Sequence, residues 1–244
     1  MAMTRSANPA LRSKAFEEVF GTATGSDVMT LDGTVNKTGL LLLILITGAT
    51  LTWSNPQASG GWMMLGAIGG FITAMVTVFK MDLSRYTAPL YALFEGLFIG
   101  GISALFEMQY PGIVTQAVLL TFGTAAAMLF VYKAGWIKVT QKFRIGVMAA
   151  TGGIFIAYFL SFIMGFFGVH MNFIFGGGMF GIVFNLVVIG VAAMNLILDF
   201  DFIEEAAANN APKYMEWYGA FGLMVTLVWL YIEFLRLLAS LQRR

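Results

Sequence analysis

The sequence predicts an all-α integral membrane protein, a bundle of seven transmembrane helices. Of its 244 residues, 59% are hydrophobic and only 11% charged, where a soluble domain averages about 45–50% apolar and about 25% charged. The mean hydropathy is +0.81. A bilayer core demands roughly 20 apolar residues of a helix, and seven stretches supply them: residues 35–54, 60–80, 86–107, 112–133, 143–166, 174–200 and 218–240.

The same composition excludes whole classes of function. A net charge of +1 offers no electrostatic case for nucleic-acid binding. With no cysteine, disulfides, thiolate chemistry and cysteine-based metal sites are ruled out. The single histidine, His170, rules out a His-rich zinc or di-iron site. The opening "MAMTRSANPALRSKAFEEVF" lacks the apolar core and cleavage site of a secretory signal, so the first span is expected to serve as its own insertion signal.

Residues 1–34 read as a polar N-terminal tail and residues 35–244 as the transmembrane domain. In the tail, Asn8 is placed to cap a helix with Pro9 at its first position, and Phe16, Val19 and Phe20 then share a face. A short amphipathic interfacial helix and a disordered tail are the two readings. The loops are short, so successive helices are expected to be antiparallel neighbours. Small residues four apart, Gly66 with Gly70, Gly96 with Gly100 and Gly177 with Gly181, predict close helix–helix approach. The "GGG" at 176–178 is no phosphate loop, since no strand precedes it and no Lys-Ser/Thr follows.

Orientation follows the positive charges. Arg5, Arg12, Lys14 and Lys37 lie in or near the tail, Lys80 and Arg85 in the second loop, and Lys133, Lys138, Lys142 and Arg144 in the fourth, whereas the first, third and fifth loops carry no Lys or Arg. This alternation predicts a cytoplasmic N-terminus. Arg243 and Arg244 would then lie outside after seven crossings; a re-entrant last segment is the alternative. Trp53, Trp62 and Tyr110 fall at the expected outer interface and Trp136 and Trp217 at the inner one, with Trp229 mid-span as a packing residue. The 16 methionines are scattered, as packing residues are.

A charge at mid-membrane costs about 2.5–3.5 kcal/mol on insertion scales and so tends to mark a pathway. Glu95, Asp199 and Glu233 need explaining on that ground. Glu95, beside Gly96 near the centre of the third span, is either a protonated carboxyl bonded to a neighbouring helix or a ligand lining a pathway. Asp199 and Glu233 stand on consecutive antiparallel helices; facing one another, they would titrate as a unit, a neutral clamp when protonated and an attractor of hard cations when ionised. A straight hairpin turning near residues 209–212 would leave them roughly 16 Å apart in depth, so pairing calls for a kink at Gly219 or Gly222, or a turn nearer residue 216. Asp201, Glu204, Glu205 and Glu216 read as a solvated loop face, with Asp201 a possible further oxygen donor beside Asp199. His170 reads as a solvated loop residue.

The ending "LDFDFIEEA…WLYIEFLRLLASL" resembles the transmembrane Bax inhibitor motif proteins, the Bax inhibitor family. "RSANPAL", "LDGTVNKTGLLLL" and "LYALFEGLFIGGIS" look like a bacterial branch of it, so the resemblance covers nearly the whole chain. The resemblance implies a seven-helix bundle with the last helix central, and a calcium leak gated by a pH-sensing acid pair. By carry-over the pair is Asp199 and, with Glu in place of Asp, Glu233. Leak members also pair the acids with an arginine of the second span; here residues 61–79 hold no basic residue, and Lys80 and Arg85 are the nearest candidates for a basic latch.

These features lead to a pH-sensitive calcium (cation) leak channel or exchanger in a bacterial inner membrane. Its partners would be the bilayer, protons and calcium ions in transit, with no tightly bound cofactor. Two carboxylates make only a weak, partly hydrated calcium site, which suits a leak. The alternative is a membrane regulator acting through the tail on a membrane protease or stress pathway without ion conduction, with the acids merely structural. A secondary transporter would show inverted repeats or broken helices, and none is evident. An enzyme is not expected, since only an aspartyl-type dyad would be available to it.

Overall fold

Residues 28–54, 60–168 and 178–243 are described by a computed structural model of the chain. Among them seven helices are long and apolar enough to cross a membrane: α1 (Leu31–Trp53), α2 (Gly60–Phe79), α3 (Ser84–Gln109), α4 (Ile113–Lys133), α5 (Gln141–Phe166), α6 (Met179–Ala208) and α7 (Met215–Gln242). A 3-10 turn, Met81–Leu83, leads into α3. The all-α bundle expected from composition is the one observed.

Helix starts follow local chemistry. Thr30 is extended and its hydroxyl accepts the Gly33 N–H, which caps α1. Thr140 does the same for α5 through Phe143 N. At the start of α4 the cap comes from the preceding helix: Glu107, near the end of α3, accepts from Gly112 N at 2.6 Å and Val114 N at 3.1 Å, a carboxylate at the positive end of a helix.

Two of the boundaries that differ from the expectation bear on the acids and on the start of the bundle. The first helix begins at Leu31 rather than 35, because Thr30 caps it. The sixth runs on to Ala208, eight residues past the apolar stretch, so "NLILDFDFIEEA" is helical throughout and Asp201, Glu204 and Glu205 stand on a helix and not in a loop. The tail's expected amphipathic helix, His170 and Gly177 all lie outside the described residues. Residues 28–30, at the end of that tail, are joined to the bundle: Met29 N donates to Ala211 O at 2.7 Å, and Val28 pairs with Pro212.

The last helix is the central one. It buries 61% of its apolar window, against 50% for α3 and α6 and 11% for α5. It packs against α1, α3, α4 and α6, while α2 lies against α3 and α5 against α6. α7 is unbroken from Met215 to Gln242. Its start lies beside α3, where Ser84 Oγ donates to Tyr214 O, and its end beside Tyr110, whose hydroxyl accepts from Arg243. The helix therefore runs the length of the bundle and does not turn back.

Glycine spacing did set the tightest contacts. A Cβ at Gly96 or Gly100 would stand 2.2 Å from the carbonyl of Leu45 or Ala49, and one at Gly66 2.6 Å from Phe94 O, so α3 meets α1 and α2 almost backbone to backbone.

The antiparallel order brings Lys37, Lys80, Arg85, Lys133, Lys138, Lys142, Arg144 and Lys213 to one end of the bundle, with the α6–α7 turn. Trp136 and Trp217 share that end, and Trp53, Trp62 and Tyr110 the other.

Candidate functional site

Asp199 and Glu233 both engage α7, at different levels. Asp199 Oδ2 accepts the Thr226 hydroxyl at 2.6 Å. Glu233 lies seven residues further along the same helix, about 10 Å along its axis. It is 1% exposed; Oε1 accepts from Tyr158 OH of α5 at 3.0 Å and from Arg236 one turn on at 3.2 Å. No hydrogen bond joins the two acids. α7 is helical through Gly219 and Gly222, and the two acids keep separate partners instead of a shared site. Glu233 also belongs to the half of α7 away from the α6–α7 turn, not near its start.

Asp199 lines a cavity of about 260 Å³ between α6 and α7, with Phe202, Tyr218, Gly219, Phe221 and Gly222. A water takes about 30 Å³ of liquid, so the space suits an ion with part of its hydration shell. Oδ1 faces Gly222, and the Thr226 hydroxyl also lies 3.2 Å from Gly222 O.

Glu233 is set in apolar surroundings with Trp229 and Tyr158, which pack on Ile154, Val188 and Val191. Its Oε2 is buried with no hydrogen-bond partner. Its charge is balanced from within α7: the Arg236 guanidinium pairs with Oε1 and lies over the Tyr158 ring, 5.1 Å from its centroid. The basic partner expected of Lys80 or Arg85 is thus supplied by Arg236. Lys80 and Arg85 are exposed at the other end of the bundle and pair with no acid among the described residues, Arg85 lying over Tyr86. The "IEFLR" spacing carried that signal, since positions three apart share a helix face.

The other acids divide among three places. Glu95 belongs to the α2–α3 contact, its Oε2 3.3 Å from where a Cβ on Gly70 would be, and it faces the Tyr91 hydroxyl. Tyr91 packs edge-on against Phe221, ring centroids 5.0 Å apart, so two rings stand between Glu95 and the Asp199 cavity. Asp201 and Glu205 bind Arg144 of α5 at 2.7 and 3.1 Å, and Glu204 accepts from Tyr132 OH of α4 at 2.7 Å. These three face their own surface pocket with Arg144; Asp201 adds no oxygen to Asp199.

Glu216 overturns its expectation. Read as part of a solvated loop face, it is 0% exposed. Thr30 donates to it through N and Oγ1 at 2.9 and 2.8 Å, Lys213 lies at 2.9 Å, and Lys37 also bonds to it. A hydropathy scan places it at a span edge and says nothing of Thr30 and Lys37, which come from the other end of the sequence.

The donor set at Asp199 is a carboxylate, a hydroxyl and a carbonyl. Calcium takes six to eight oxygens, so this set alone would not complete a calcium shell. Among the described residues no group of three or more His, Cys, Asp or Glu is arranged to hold a metal.

The family described as Bax inhibitor 1 like matches residues 8–243 of the chain. No curated protein and no solved structure matches it.

Proposed function

The chain belongs to the Bax inhibitor 1 like family, and on that premise we propose that it is a pH-sensitive cation leak, with calcium as the ion carried. The observation that carries this reading is the placement of two carboxylates along the central helix at successive depths, Asp199 reaching it from α6 and Glu233 standing on it. Asp199 is at a cavity wide enough for a partly hydrated ion, and Glu233 lies about two turns beyond it. Weak sites in series let an ion leave as readily as it enters.

Protons act at both levels. Ionised, Asp199 attracts a cation. Protonated, it is a neutral partner of Thr226 and the attraction is gone. At Glu233, protonation weakens the tie to Arg236. Flux should therefore rise as pH rises.

The end with the eight Lys and Arg residues is assigned to the cytoplasm on the positive-inside rule, in a bacterial inner membrane. This places Asp199 in the cytoplasmic half of the bundle and Glu233 in the outer half. The reading involves ion movement and no catalysed reaction.

The regulatory alternative also has one observation in its favour. Residues 28–30 are bonded to Glu216 and to the α6–α7 turn, so a protein such as a membrane protease that engages residues 1–27 would act on the start of α7.

The test is calcium flux into liposomes carrying the purified protein, from pH 6 to pH 8. Flux that rises with pH, and loses that dependence in Asp199→Asn, supports the leak. Flux no greater than in empty liposomes defeats it, and removing residues 1–27 then tests the regulatory role.

A further inference from the structure

The glycines of this fold divide by what a side chain would meet. At Gly33, Gly96 and Gly100 a Cβ would come within 2.2 Å of Glu216 Oε1, Leu45 O and Ala49 O respectively. Those positions are small because neighbouring groups need the space. Gly222 is of another kind. It lies on the most buried helix, yet a Cβ there meets nothing nearer than Asp199 Oδ1, at 4.0 Å, an ordinary contact. Packing does not require a glycine at 222. What a larger side chain would take up is the Asp199 cavity, which Gly222 lines.

Oxygens converge at that point. The Thr226 hydroxyl has one hydrogen and two acceptors in reach, Asp199 Oδ2 at 2.6 Å and Gly222 O at 3.2 Å. When Asp199 is ionised the hydrogen goes to the carboxylate, and the Gly222 carbonyl loses its side-chain donor. When Asp199 is protonated it donates to Thr226 Oγ1, whose hydrogen turns to Gly222 O. A carboxylate oxygen and a carbonyl oxygen thus become free for a cation in the same protonation state.

No basic side chain of the described residues competes there. Tyr218 of α7 is the other titratable group lining the cavity. Arg144 of α5 and Tyr132 of α4 are held by Asp201, Glu205 and Glu204, and Lys37 of α1 by Glu216.

We propose that Gly222 is the aperture of the Asp199 station: the room left by its missing side chain is where a partly hydrated cation sits against Asp199 Oδ1, with the Gly222 carbonyl as a second protein ligand. The assignment rests on the leak reading and adds to it the residue that sets access.

The experiment compares the full-length protein with Gly222→Ala and Gly222→Val in calcium-flux liposomes at pH 8. The deuterium exchange of the protonated Asp199 carboxyl is read separately at pH 6 by its C=O infrared band, identified with Asp199→Asn. Gly222→Val is expected to cut flux at least about tenfold, as an obstruction in a narrow pathway does, with Gly222→Ala between it and the unaltered protein. Both should slow the exchange. Gly222→Val as leaky as the unaltered protein overturns the assignment and leaves the leak reading standing. If Gly222→Val does not fold, Gly222→Ala decides: unchanged flux and unchanged exchange overturn the assignment, and reduction of both upholds it. If the unaltered protein carries no flux above empty liposomes, the leak reading and this assignment fall together.

Discussion

Glu216 accepts both the backbone N–H and the hydroxyl of Thr30, the residue that caps α1. A carboxylate on the last helix thereby fastens the start of the first, where the helix dipole favours negative charge. Gly219, nearly one turn along α7, continues the contact, since a Cβ there would meet Ile203, Thr34 and Met29 at 3.0, 3.5 and 3.6 Å. Gly219 also lines the Asp199 cavity. The clamp and the cavity therefore share one short stretch of α7.

Breaking the clamp should loosen that stretch. Glu216→Gln leaves Lys37 and Lys213 without their counter-charge and should cost about 2 kcal/mol, the scale of a charge-assisted hydrogen bond. Gly33→Ala, whose Cβ would stand 2.2 Å from Glu216 Oε1, should act on the same contact, so the double variant should lose less than the sum of the two. Thermal unfolding in detergent checks this. Trp217 emission is a local reporter, because Lys37 lies 5.4 Å from its ring centroid.

Two stations make a different prediction from one dyad. Residues without shared partners contribute additively, to within about 0.5 kcal/mol, and residues in one network do not. Asp199→Asn and Glu233→Gln are expected to change the logarithm of calcium flux independently. A double-variant cycle with strong coupling would restore the shared site.

The Thr226 hydroxyl stabilises the ionised form of the station by donating to Asp199. Thr226→Val keeps the shape and removes the donor, so the rise of flux should move to higher pH, by up to about one pH unit for a bond worth roughly 1.5 kcal/mol. Thr226→Ser should leave the profile in place. Flux measured in steps between pH 6 and pH 8 reads the difference.

Arg236 should prove to be the counter-ion of Glu233. Arg236→Gln leaves a carboxylate buried without its cation. Removing one member of a buried pair costs about 3–5 kcal/mol, and the 36% exposure of the Arg236 side chain places this case lower, at about 2 kcal/mol. Adding Glu233→Gln should recover most of the loss, since no buried charge then remains. Unfolding of the single and double variants tests this.

Gly96→Ala and Gly222→Ala should part company in stability. The first forces a Cβ to 2.2 Å from Leu45 O and should cost about 1–3 kcal/mol through overpacking. The second meets only an ordinary contact and gains helix propensity, so it should be neutral or slightly stabilising. Paired unfolding curves decide.

The sequence by itself determined the class of the molecule: seven spans, their antiparallel order, the loops that carry the positive charge, and the family that its last two spans resemble. These are properties of composition and length, and a bilayer reads them segment by segment. Only the tertiary structure decided which acids meet which partners. Asp199 takes Thr226, Glu233 takes Tyr158 and Arg236, and Glu216 lies buried under Thr30. The reason is physical. A transmembrane helix is apolar toward lipid and toward its neighbours alike, so its sequence pattern carries little record of which face turns inward. Rotation and depth are fixed instead by close contacts such as Gly96 on Leu45 and Gly100 on Ala49. A separation of about 10 Å along α7 is what turns one supposed acid pair into two stations.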